Sequence, residues 1–222
     1  MNRRPRLLAT AAFGTAAALL LTACGGGDGK AKGDGKAAGA DAGDRVSASP
    51  GAGTGGSASA SVGRPTVELP SDLVLTFTPE KSGDAVQDAI LKDNAEFIRA
   101  LDAAIVAQNP RLPALESYTE GEGAVAAQQW VQSFKSAGWT VTGAVRYFDR
   151  HVKVRSKEAA SISYCADESK GFSKVIKTGR TVNTKVTKNS YVAYGVQVEK
   201  NERGIWELVK VSSTRGAAKC QP

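Results

Sequence analysis

The chain has 222 residues, 41% of them hydrophobic, and a formal net charge of +7. One histidine and three cysteines without a Cys-x-x-Cys pair argue against the common zinc and dithiol redox frameworks, so no metal or cofactor is expected.

In chain order, Arg3, Arg4 and Arg6 precede an apolar stretch from Leu7 to Leu21. The stretch is about 15 residues, short of the ~20 that cross a bilayer as a helix. Basic residues before it and small residues after it predict a cleavable signal peptide over residues 1–23. The run Leu21-Thr22-Ala23-Cys24 resembles the lipobox of bacterial lipoproteins, with Thr22 where Ser or Ala is commoner. The resemblance implies that Cys24 becomes a lipidated N-terminus at the outer face of the cell membrane. A thiolate is the nucleophile such chemistry needs. The plainer alternative is an ordinary secreted protein in which Cys24 is incidental. Arg3-Arg4 hints at a twin-arginine route, but Arg6 stands where that pattern prefers an apolar residue.

Residues 24–65 are Gly, Ala, Ser and scattered charges of both signs, too poor in large apolar side chains to offset their ordering entropy. A disordered linker is expected, with a root-mean-square reach of roughly 35 Å. Ser47 to Ser61 reads as a plain spacer or as a site of sugar attachment.

Residues 66–222 are one domain's worth of chain. Thr66 to Glu120 is acidic and Gly121 to Pro222 basic, a separation that steers partners. Leu73-Val74-Leu75 reads as a short strand whose place in a sheet is open. Asp84 and Gln87 have capping-box spacing. Behind them Val86, Ile90, Phe97, Leu101, Ala104 and Ile105 recur at helical spacing up to Pro110. Leu112–Tyr118 predicts a short helix and Glu122–Ala137 a third, closed by Gly138. From Trp139 the pattern turns to period two. Strands are expected over 139–151, 158–166, 191–200 and 205–213, with a ribbon of 174–176 and 182–186 around Thr178-Gly179-Arg180. The fold class is α+β: three N-terminal helices packed on a curved antiparallel sheet.

That order resembles NTF2-like (SnoaL-like, cystatin-like) domains, and more narrowly the exported actinobacterial lipoproteins of that superfamily. The residues carrying the resemblance are Trp139-Thr140-Val141, Tyr164-Cys165 with Asp167, Thr178-Gly179-Arg180, and Gly204-Ile205-Trp206-Glu207-Leu208. It implies a cone-shaped domain and a superfamily holding isomerases and dehydratases beside binding and assembly modules, so it fixes no activity.

With Cys24 assigned to the lipid, Cys165 and Cys220 are expected to oxidise to each other outside the cytoplasm. His151 lies near Asp149, as a general base and its orienting partner would. However, Arg150-His151 looks like the start of a turn, and an exposed structural role fits as well. Asp93, Asn94 and Asp102 sit on the first helix, but no catalytic motif of the superfamily matches a residue here. Trp130, Tyr147, Tyr164, Tyr191, Tyr194 and Trp206 either fill the core or line a pocket. Trp130, Tyr147, Tyr164, Tyr191 and Asn94 are the candidate pocket residues. Arg146, Arg150, Lys153, Arg155 and Lys157 form a basic run, read as an anionic docking face or as charge protecting a sheet edge.

The expected function is a membrane-anchored, non-enzymatic module that binds a protein partner or a small apolar ligand, or that serves assembly. An isomerase or dehydratase acting in the cone is the alternative. An exported chain without a recognition motif is not expected to bind nucleic acid.

Overall fold

A computed structural model describes residues 63–222, so the signal peptide, Cys24 and nearly all of the expected linker lie outside the described residues. The first strand, β1 (Leu73–Phe77), leads to three helices: α1 (Ala85–Val106), α2 (Pro113–Glu116) and α3 (Gly121–Ala137). The sheet follows with β2 (Trp139–Val154), β3 (Ala159–Val175), the two-residue β4 (Thr181–Val182), β5 (Tyr191–Lys200) and β6 (Trp206–Arg215). The strand order is β1-β2-β3-β5-β6, with β4 paired to β3.

The helix ends follow their capping chemistry. Asp84 Oδ1 accepts from the Val86 and Gln87 amides at 3.0 and 2.9 Å. The Asp84 amide donates to Ser82 Oγ rather than to Gln87, so the anticipated capping box is half made. Gly138 takes the left-handed conformation, φ 66°, that closes α3. The helix expected over 112–118 is the shorter α2, which Pro113 starts as its first helical residue.

Three strand expectations change. The segments 158–166 and 174–176 belong to one strand, β3, and β4 pairs with it at Ser173–Val182 and Lys174–Thr181. The sheet is not wholly antiparallel, because β1 runs parallel to β2, Leu73 opposite Gly143. The helices carry the chain back to the starting end of β1, and such a crossover makes neighbouring strands parallel. Finally, β2 continues to Val154 and no turn begins at Arg150-His151. A bulge between Phe148 and His151, with Asp149 at φ 51°, absorbs the irregularity, and His151 pairs with Ser163.

A second irregularity, between Ala144 and Arg146, follows Gly143 at φ 93°, where a Cβ would overlap the Lys170 carbonyl oxygen. These breaks bend two long strands around the helices. Along α1 the side chains of Ile90, Phe97, Ile98, Ala104 and Ile105 are buried against the sheet. Helix α3 comes close to β6 at Gly123, where any side chain would meet the Leu208 backbone. Cys165 and Cys220 form a disulfide, Cα atoms 5.4 Å apart, that ties the C-terminal tail to β3. Closing a loop of 55 residues stabilises the fold by about 4 kcal/mol in the chain-entropy account.

Candidate functional site

Among the described residues two cavities are present: one of about 360 Å³ lies beside the first half of α1, lined by Phe77, Leu91, Arg99 and Arg150, and a larger one of about 620 Å³ lies between α1, α3 and the sheet. One face of α1 supplies Phe97, Ile98, Leu101, Asp102 and Ile105; α3 supplies Ala127, Trp130 and Phe134. Strand alternation turns Val145 and Tyr147 of β2, Tyr164 and Glu168 of β3, and Val192 and Tyr194 of β5 toward it. The aromatics therefore do not merely fill a core. Tyr147 and Tyr164 meet edge to face with ring centres 6.0 Å apart, and Tyr164 stacks on Tyr194 at 5.1 Å.

The ionisable groups that line this cavity are Asp102, Glu168, Arg215 and the phenols of Tyr147, Tyr164 and Tyr194, with the hydroxyls of Thr142, Ser173, Thr184 and Ser213 beside them. Asp102 sits in the apolar stripe of α1, and none of the ion pairs among the described residues includes it. Desolvation, with the charge of Glu168 adding to it, pushes its carboxyl up to about 7. Glu168 is held by Arg215 at 2.7 Å, and Arg215 also donates to the Asn189 carbonyl. Burial raises the hydroxyls of Tyr147, Tyr164 and Tyr194, so all three stay protonated donors. The floor thus offers phenol donors beside a carboxyl poised between its two forms near neutral pH.

Of the five candidate pocket residues, the fold brings Trp130, Tyr147 and Tyr164 to the cavity. Tyr191 is not among its lining: Val192 and Tyr194 face inward, so their odd-numbered neighbour faces away. Asn94 does not line it either. Its Oδ1 accepts from Arg150 Nη2 at 3.1 Å. Trp206 is buried in the core away from the cavity. His151 is exposed on β2.

Arg150 corrects the reading of a basic surface run. The bulge turns it inward, where it is 3% exposed and donates to the Pro79 and Leu91 carbonyls at 3.0 and 2.6 Å. Its guanidinium lies 5.1 Å from the Phe77 ring centre, and burial lowers its pKa to about 10. Arg146 is exposed and pairs with Asp167, and Lys153, Arg155 and Lys157 are exposed as well.

Asp102, Glu168 and Arg215 were not singled out as pocket residues by sequence. A carboxylate at position i+4 from Ile98 and i−3 from Ile105 was the available signal for Asp102, since it interrupts an apolar stripe. Glu168 shares the parity of Tyr164, and Arg215 lies past the expected end of β6.

No family model matches the chain, and no curated protein is similar to it. Among solved structures, the intermembrane-space region of the chloroplast protein ARC6 superposes with a TM-score of 0.40 at 9% identity, over 61% of this chain and 99% of that one. A ketosteroid isomerase-like protein from Erwinia carotovora atroseptica gives 0.41 at 12% identity, over 60% and 98%. Likenesses at this level say nothing about chemistry. Among the described residues no helix is long and apolar enough to cross a membrane, and no cluster of metal-ligating side chains occurs.

Proposed function

We propose that the chain is a lipoprotein, anchored through Cys24 at the outer face of the cell membrane, whose NTF2-like cone binds a small, mainly apolar molecule. The cavity carries this reading: about 620 Å³ of mainly apolar space, with the Tyr147, Tyr164 and Tyr194 hydroxyls and Asp102 among its polar groups, has the form of a small-molecule site. The Tyr147, Tyr164 and Tyr194 hydroxyls and Asp102 would orient the ligand's polar end, which therefore carries a hydrogen-bond acceptor such as a carbonyl.

Native mass spectrometry of the protein from its producing cells tests this. The expected result is one bound small molecule, released on unfolding. Ala126→Trp, which fills the cavity from α3, is expected to lose it while keeping the parent's thermal transition. An unliganded parent that also fails to bind steroid-sized ketones would overturn the reading. Anchorage has its own test. Cys24→Ser is expected to move the protein out of the membrane fraction on cell fractionation, and retention there would show that Cys24 is not the anchor.

A second reading, favoured by Asp102 alone, is an isomerase or dehydratase. A carboxyl that exchanges its proton near neutral pH, facing a cavity with phenol donors, is placed to take a proton from carbon next to a carbonyl and return it.

A further inference from the structure

From Ser169 to Val198 the chain carries six basic residues, Lys170, Lys174, Lys177, Arg180, Lys185 and Lys188, and no carboxylate. Among the described residues only Lys174 of the six is in an ion pair, with Asp72 at 2.9 Å. Lys177, Arg180 and Lys185 are exposed on the ribbon that leaves the end of β3, passes through β4 and returns to β5.

Large apolar side chains stand among these charges. Ile176 is 48% exposed, Val186 57% and Trp139 38%. Ile176 and Trp139 are neighbours, because the Ile176 amide donates to the Gly138 carbonyl and Trp139 pairs with Val175. Charge on a sheet edge keeps it from pairing with other chains, but that does not account for apolar side chains held out beside it.

The ribbon also borders the cone. Phe172, Ser173 and Thr184 line the cavity, and so does Trp130, which is 46% exposed. The cavity therefore reaches solvent near this basic, apolar-tipped surface.

We propose that this ribbon docks on an anionic lipid surface, with Lys177, Arg180 and Lys185 at the headgroups and Ile176, Val186 and Trp139 entering the interface. Clusters of this many basic residues gain affinity from each charge near an anionic membrane. Exposed aliphatic and indole groups add the apolar contact, tryptophan being favoured at the headgroup level. The proposal does not require lipid on Cys24, nor a ligand in the cone. Where the ligand is membrane-derived, the docked cone would open toward its source.

The test uses residues 24–222 carrying Cys24→Ser, so that neither an acyl anchor nor the apolar stretch Leu7 to Leu21 contributes. It is mixed with vesicles of phosphatidylglycerol and phosphatidylcholine, or of phosphatidylcholine alone. The expected result is tighter binding to the anionic vesicles, weakened by salt, with a blue shift of tryptophan emission. Lys177→Gln, Arg180→Gln and Lys185→Gln together are expected to weaken anionic binding by about tenfold or more, with an unchanged melting temperature. Ile176→Ser with Val186→Ser is expected to remove most of the blue shift. Equal binding to both vesicle types, or a triple variant that binds like the parent, overturns the proposal. Binding to soluble polyglutamate without binding to vesicles overturns the lipid assignment in favour of an acidic macromolecule.

Discussion

Asp102→Asn is expected to make the protein more stable than the parent at pH 8, by up to about 4 kcal/mol. The Asp102 carboxyl is raised to about 7 in the folded protein by desolvation and by Glu168. In the unfolded chain it ionises near 4. Below about pH 4 both states are protonated and the residue is neutral in its effect. As pH rises from there to about 7, the unfolded state loses its proton while the folded state keeps it, so stability falls. Above about 7 the loss is complete and constant. Asparagine keeps the size and removes the ionisation. The two proteins should have similar urea midpoints at pH 3.5 and diverge through the window up to 7. A carboxyl-carbon NMR titration of Asp102 should show a midpoint near 7. A midpoint near 4 would remove both this prediction and the proton-transfer reading of the cone.

Arg64→Ala is expected to cost about 3–5 kcal/mol, the usual result of stranding a buried charge. Arg64 stands at the end of the segment that the sequence reads as linker. Its Nε and Nη2 hold the two oxygens of Asp93 at 2.8 and 2.9 Å, and Nη2 also donates to the Gly204 carbonyl at 3.2 Å. The Asp93 side chain has no solvent exposure, and its remaining bond is from the Trp206 amide at 3.0 Å. Removing the guanidinium leaves the carboxylate one protein donor, the Trp206 amide. Arg64→Lys should recover part of the loss, since an ammonium cannot make the two-pronged contact. Arg64→Ala combined with Asp93→Asn should recover more, because the stranded charge is gone. Urea unfolding of the variants measures all of this. A cost below about 1 kcal/mol would place the pair with ordinary surface ion pairs.

The legible parts of this molecule were those written in local chemistry. Asp84 and Gly138 mark helix ends because a side-chain oxygen meets free amides and because glycine tolerates a left-handed turn. The period-two run from Tyr191 to Lys200 is a strand over that same span. The Cys165–Cys220 disulfide followed from the number of cysteines left once Cys24 was assigned. What was not legible depends on where strands bend. Asp149 adopts φ 51° and shifts the register between Phe148 and His151. That shift takes Arg150 from an apparent surface run into the space beside Phe77 and Asn94. Parity within a strand was readable, but its phase was not. The sequence therefore pointed to Tyr191 and left out Tyr194 as a pocket residue, and the structure reverses that choice: Tyr194 lines the cavity and Tyr191 does not.

The amino-acid sequence alone determined the helices, most of the strands, the α+β order and the pairing of two cysteines, because each rests on residues close together or on a simple count. The tertiary structure decided that the cone encloses space, that Asp102 and Glu168 face each other's charge across it, and that Asp93 is neutralised by an arginine far away in the chain. Volume and burial belong to the way distant elements approach one another, and no local pattern of residues encodes how closely they will meet.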